Sequence, residues 1–119
     1  MRPEERDAAY LWDMRDAARQ IHEIAGGLQV QDYLGDRLRQ LAVERCLEIL
    51  GEAARRISDR VRLEHPEIPW HQIIAQRNML AHEYGDIRHE MIWRVVSERI
   101  PELLTILERL VPPPPPPEG

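Results

Sequence analysis

Between residues 10 and 25 the apolar positions fall three and four apart, at Tyr10, Leu11, Met14, Ala17, Ala18, Ile21, Ile24 and Ala25. That spacing lays one apolar stripe along a helix of 3.6 residues per turn. Gly26-Gly27 follows, and glycine past the last turn is a common helix stop. The pattern returns twice. From Asp36, an N-cap residue by type, Val43, Cys46, Leu47, Leu50, Ala53, Ala54, Ile57 and Val61 mark a long helix running towards Glu64. Ile92, Val95, Val96, Ile100, Leu103, Leu104, Leu107 and Leu110 mark another over roughly residues 88–110, with Pro101 expected to kink it. Between these two, HPEIPW breaks the chain with two prolines, and a shorter helix starts near Trp70 and ends at Gly85. The stretch LQVQDYLGD has room for a single helical turn. No segment shows the period-two alternation of a strand. The reading is an all-α, up-and-down bundle of four main helices plus a short helical turn.

A chain of 119 residues builds one core rather than two. Residues 1–111 form the helical domain, and the tail 112–119, with six consecutive prolines, favours a solvated polyproline II rod. No apolar run approaches the ~18 residues of a membrane span, and the start, MRPEERDAAYLW, carries no apolar signal segment. Cys46 is the single cysteine, so no disulfide forms within the chain; a cytoplasmic location is expected. Net charge is −5, yet every basic residue is arginine. An acidic chain is a poor general binder of nucleic acid, so any phosphate contact must be local, built from a few guanidinium forks.

The decapeptide QRNMLAHEYG, residues 76–85, breaks the tidy division of faces. Trp70, Ile73, Ile74, Arg77, Ala81 and Tyr84 share one stripe, so Arg77 falls among core-facing residues. A guanidinium there must be paired or open into a cleft; Glu48 and Glu52 on the long helix are both within reach as partners. Asn78 and His82 stack one turn apart on the adjacent stripe. His82 sits in the last turn, where the helix dipole favours a cation and Arg77 opposes one, a placement suited to proton transfer. The plain alternatives are a salt-bridged arginine, a C-capping histidine and a packing tyrosine. Gly51, inside the long helix, costs about 1 kcal/mol relative to alanine and predicts a close helix contact or a slight bend. HEYGD lacks the second histidine of a zinc-protease helix, and His65, His71 and His89 have no companions at metal-ligand spacing, so no metal or other cofactor is expected.

RNMLAHEY matches the Arg-x4-His-x-Tyr signature of the HEPN superfamily, and the chain resembles its HepT-like toxin branch. The likeness extends through RCLEILGEAARRISD, HPEIPWHQIIAQRNMLAHEYGDI and IWRVVSERIPELLTILERL, covering about residues 10–110. The resemblance implies a metal-independent endoribonuclease toxin, a homodimer whose two motifs face each other across the axis in one cleft. It places Arg77 on the scissile phosphate, His82 as general acid or base and Asn78 as an orienting group. Tyr84 matches the tyrosine that an MntA-type nucleotidyltransferase antitoxin modifies with AMP. A catalytically inactive scaffold that binds such a partner is the alternative within the same family.

Overall fold

The computed structural model describes residues 3–82 and 87–111. It is an all-α bundle: α1 (Pro3–Ala25), α2 (Val30–Leu34), α3 (Arg37–Arg56), α4 (Asp59–Glu64), α5 (Trp70–His82), α6 (His89–Arg94) and α7 (Ile100–Leu110). A π-helical turn (Val95–Arg99) joins α6 to α7, so the two read as one long helix. Among the described residues there is no strand, and no helix is long and apolar enough to cross a membrane. Tyr84, Gly85 and the proline tail lie outside the described residues.

The stripes read from the sequence meet in the middle. α1 packs along α3, α3 against α5, and α1 against α7. Met14, Ala18 and Ile21 of α1, Val43 and Ala54 of α3 and Leu107 of α7 are wholly excluded from solvent. The helix stop after Ala25 is real: Gly27 takes φ 83°, the left-handed region where a side chain is strained. Asp36 caps α3, its side chain accepting from the Arg39 backbone N–H at 3.1 Å. LQVQDYLGD holds the single short helix α2, as its length allows.

The long helix, however, does not run on to Glu64. α3 ends at Arg56, Ile57 turns extended (φ −66°, ψ 139°), and Ser58 opens the separate α4. Apolar spacing continues through Ile57 and Val61 because both still point into the core, which hides the break. A local cap and a distant contact make the break: the Ser58 hydroxyl accepts the Val61 backbone N–H at 3.4 Å, capping α4. The buried Asp7 carboxylate accepts the Ser58 backbone N–H at 2.9 Å and its hydroxyl at 2.7 Å. Arg62 then donates to the Ala54 and Arg55 carbonyls, at 3.1 and 2.7 Å, satisfying the end of α3. Pro101 is accommodated by the π-helical turn just before it. Proline lacks the N–H for an in-register bond and crowds the carbonyl four residues back, and a wider turn is one way a helix absorbs that.

Tyr33 of α2 is fully buried, with its ring 5.3 Å from that of Trp93. Its hydroxyl has no hydrogen-bond partner among the described residues. Burial first, and the Glu44 charge second, push that hydroxyl well above the ordinary tyrosine range. A folded-state value raised in this way leaves stability intact below pH ~10 and erodes it as pH rises further. Tyr33→Phe is expected to melt at pH 7 no lower than the parent, since a buried unpaired hydroxyl is itself unfavourable. It should also blunt the alkaline loss above pH ~10; melting curves from pH 7 upward check both.

Candidate active site

Helix α5 starts where Pro69 precedes Trp70, whose indole N–H donates to the His65 carbonyl at 2.9 Å. From there its buried line runs Trp70, Ile73, then Leu80. Arg77 lies on that line at the spacing of three and four. Ile74 and Ala81, expected on the same stripe, are only partly buried, and Leu80 goes fully in instead. The arginine is therefore a core-line residue by position, as its place in the stripe predicts.

Gly51 explains how a charged residue fits there. A Cβ built on Gly51 would overlap the Arg77 Cβ and come within 3.0 Å of the Ile73 carbonyl. The missing side chain is what lets α3 and α5 cross so closely, with the Arg77 stem laid over the glycine. Of the two expectations for Gly51, a close contact is the one realised.

Beyond the glycine the guanidinium reaches a partner on each side. Nη2 lies 3.3 Å from Glu52 Oε2, and Nη1 donates to Asn78 Oδ1 at 3.1 Å. Of the two glutamates within reach, Glu52 is the partner; Glu48 pairs with Arg45 at 3.1 Å. Glu52 also accepts from Arg55 Nη2 at 2.8 Å and Arg56 Nε at 2.9 Å. Hydrogen bonds from Arg55 and Arg56, aided by the charge of Arg77, hold its carboxyl down to about 2. A value depressed in this way keeps the network ionised in the folded protein well below neutral pH, and the stability it contributes fades as pH falls from ~4.3, the ordinary glutamate value, towards that lower value.

Arg77 opens into a cleft of about 370 Å³ between α1, α3 and α5. Tyr10 and Asp13 form its α1 wall, Arg45, Glu48, Glu52 and Arg56 its α3 wall, and Arg77 with Ala81 its α5 wall. The Arg77 side chain keeps 30% of its surface exposed, enough to meet a ligand from the cleft. Burial first, and Asp16 second, raise the Asp13 carboxyl above its ordinary range.

The structure thus joins two of the residues singled out in the sequence, Arg77 and Asn78. His82 stands exposed in the last turn of α5, one turn beyond Asn78. Among the described residues no hydrogen bond ties it to either, and it does not line the cleft with Arg77. Tyr84 lies outside the described residues. Sequence reasoning missed Tyr10, Asp13 and Arg56 as cleft residues. They come from helices whose stripes were read for packing, and only the crossing of α1 and α3 brings them to the same hollow.

A partly exposed arginine anchored at a helix crossing, with an amide beside it and a histidine a turn away, suits contact with a phosphodiester. The comparisons with known proteins agree. A model of the HepT-like family, described as ribonuclease HepT-like, matches residues 14–110. The chain belongs to that family. A HepT-like relative from Thermococcus cleftensis, named "Probable ribonuclease HepT", is 38% identical over 85% of this chain and 92% of its own length. Proteins whose names propose an RNase are similar in two further organisms. One from Methanocaldococcus jannaschii is 32% identical over 80% of this chain and 87% of its own. The one from Caldanaerobacter subterraneus is 32% identical over 79% and 84%. No solved structure matches the chain. HepT-like membership makes this chain a ribonuclease by family, with RNA as its substrate class.

Proposed function

We propose that this HepT-like chain is a metal-independent endoribonuclease that acts as a two-fold dimer. The observation that carries the reading is the anchored, partly exposed Arg77 in a cleft that the same chain's His82 does not line. Cleavage by internal attack forms a bond from the ribose 2′-oxygen to phosphorus and breaks the bond from phosphorus to the 5′-oxygen. One proton must leave the 2′-hydroxyl and one must reach the departing oxygen. Two copies of His82 supply both a base and an acid. Arg77 holds the phosphoryl oxygens as charge builds on them, and Asn78 keeps Arg77 turned towards the cleft.

A surface suited to the second copy adjoins the cleft. Leu38, Leu41 and Ile49 are exposed along the outer face of α3, on the line that continues to Glu52. Exposed apolar side chains in a row next to a charged hollow suit an isologous contact. The cellular role that fits such a nuclease is a toxin, silenced by an MntA-type nucleotidyltransferase antitoxin that attaches AMP to Tyr84. Phosphate charge attached there, seven residues along the sequence from Arg77, would compete with RNA for that guanidinium.

Two measurements test the reading together. Light scattering is expected to report twice the 14.0 kDa chain mass at tens of micromolar. Purified protein is expected to cleave RNA at an undiminished rate in EDTA. A monomer contradicts the shared cleft, a strict need for Mg²⁺ contradicts the chemistry, and a dimer that cleaves nothing favours the scaffold alternative.

A further inference from the structure

Two adjacent residues of α3 act on Arg77 in different ways. Gly51 admits its stem, because any Cβ there would overlap that of Arg77. Glu52 meets its head, 3.3 Å from Nη2. We infer that Glu52 is a positioning residue for Arg77, a fixed carboxylate that aims the guanidinium into the cleft for the phosphate of RNA. This inference rests on the ribonuclease reading of the site and adds a residue to it.

The geometry favours an aiming role over a mere surface ion pair. Glu52 is itself held by Arg55 at 2.8 Å and Arg56 at 2.9 Å, so its carboxylate is not free to swing. Arg77 is gripped from two directions, by Glu52 on Nη2 and by Asn78 on Nη1. A guanidinium has five N–H groups in a rigid fork, so those two contacts leave others for a phosphate. Charge points the same way. One carboxylate faces three guanidinium groups, Arg55, Arg56 and Arg77. Within this cluster the guanidiniums outnumber the carboxylate, while the cleft itself balances Arg45, Arg56 and Arg77 against Asp13, Glu48 and Glu52, so the attraction for an anion is local to Arg77 and Arg56. Arg56, which also lines the cleft, is kept beside Arg77 by the same carboxylate.

The opposite role, a latch that occupies Arg77 until RNA displaces it, makes a different prediction, and one experiment separates them. Glu52→Gln keeps the shape and removes the charge. Single-turnover cleavage of an end-labelled RNA is compared for the parent, Glu52→Gln, Arg77→Ala and the double variant. Glu52→Gln is expected to lower the maximal rate about tenfold, as a loosened catalytic group does, with the half-saturating concentration changed less than about twofold. Its melting temperature should stay within ~2 °C of the parent, since exposed ion pairs contribute little to stability. In the Arg77→Ala background the Gln change should cost nothing more, because a residue that acts through Arg77 has nothing left to aim. An activity-free check accompanies these rates: the Arg77 Nε–H NMR signal, assigned by its loss in Arg77→Ala, should move towards that of free arginine in Glu52→Gln. Cleavage unchanged or faster in Glu52→Gln, losses that multiply in the double variant, or an unmoved Arg77 signal overturns the inference while leaving the nuclease in place. A parent that cleaves no RNA overturns both.

Discussion

Arg77→Ala and His82→Ala are each expected to slow RNA cleavage by about 10²–10⁴-fold while leaving the fold intact. For His82 the figure is what a positioned proton-transfer group contributes. For Arg77 it is the loss of a charged donor at the developing oxyanion, on the order of 3 kcal/mol. Neither change should unfold the bundle. His82 is exposed, and alanine at position 77 keeps the Cβ that lies over Gly51. Arg77→Lys should fare poorly as well, because a point charge does not replace the fork that Glu52 and Asn78 hold from two sides. Initial rates on labelled RNA, with a melting curve for each variant, check this. Alanine variants as fast as the parent would remove Arg77 and His82 from the chemistry.

Gly51→Ala is expected to reduce stability and activity together. By helix propensity alone the change would stabilise by about 1 kcal/mol. Sterics decide against it. The new Cβ would overlap the Arg77 Cβ, sit 2.8 Å from its Cγ and 3.0 Å from the Ile73 carbonyl, and none of these can rotate away cheaply. α3 and α5 must separate, and overpacking of this kind costs roughly 1–3 kcal/mol. Set against the propensity gain, a net loss of roughly 1 kcal/mol lowers the melting temperature by roughly 3–5 °C in a domain of this size. The same separation carries Arg77 away from Glu52 and the cleft, and a displacement near 1 Å is worth about 10²-fold in rate. An alanine variant that melts higher than the parent and cleaves as fast would show that the crossing is looser than it looks.

The long helices were legible because each one buries a face, and burial of a face writes the three-and-four spacing directly into the chain. The Asp36 cap was legible because it acts on its own helix, three residues away. The break at Ile57 was not, because its local signal, the Ser58 cap on the Val61 N–H, sits inside unbroken apolar spacing, and the Asp7 contact that supports it lies 51 residues upstream. The π-helical turn before Pro101 escaped notice because Ile92, Val96, Ile100, Leu103 and Leu107 stay buried straight through it. At the site, local sequence placed Arg77 on the buried line and narrowed its partner to Glu48 or Glu52. Choosing between them needed the register of α3 against α5, which Gly51 sets. The acidic and aromatic groups of the opposite wall, Asp13 and Tyr10, belong to α1 and meet Arg77 only through the tertiary fold.

The central claim is that the Arg77 cleft cuts RNA by attack of the neighbouring 2′-hydroxyl, and the ends of the product report on it directly. Parent protein incubated with a defined RNA in EDTA should leave a 2′,3′-cyclic phosphate on one fragment and a 5′-hydroxyl on the other. Substituting a 2′-deoxynucleotide at the cleaved position should abolish the cut there. Fragments carrying 5′-phosphate and 3′-hydroxyl ends, formed only when Mg²⁺ is added, would contradict the account.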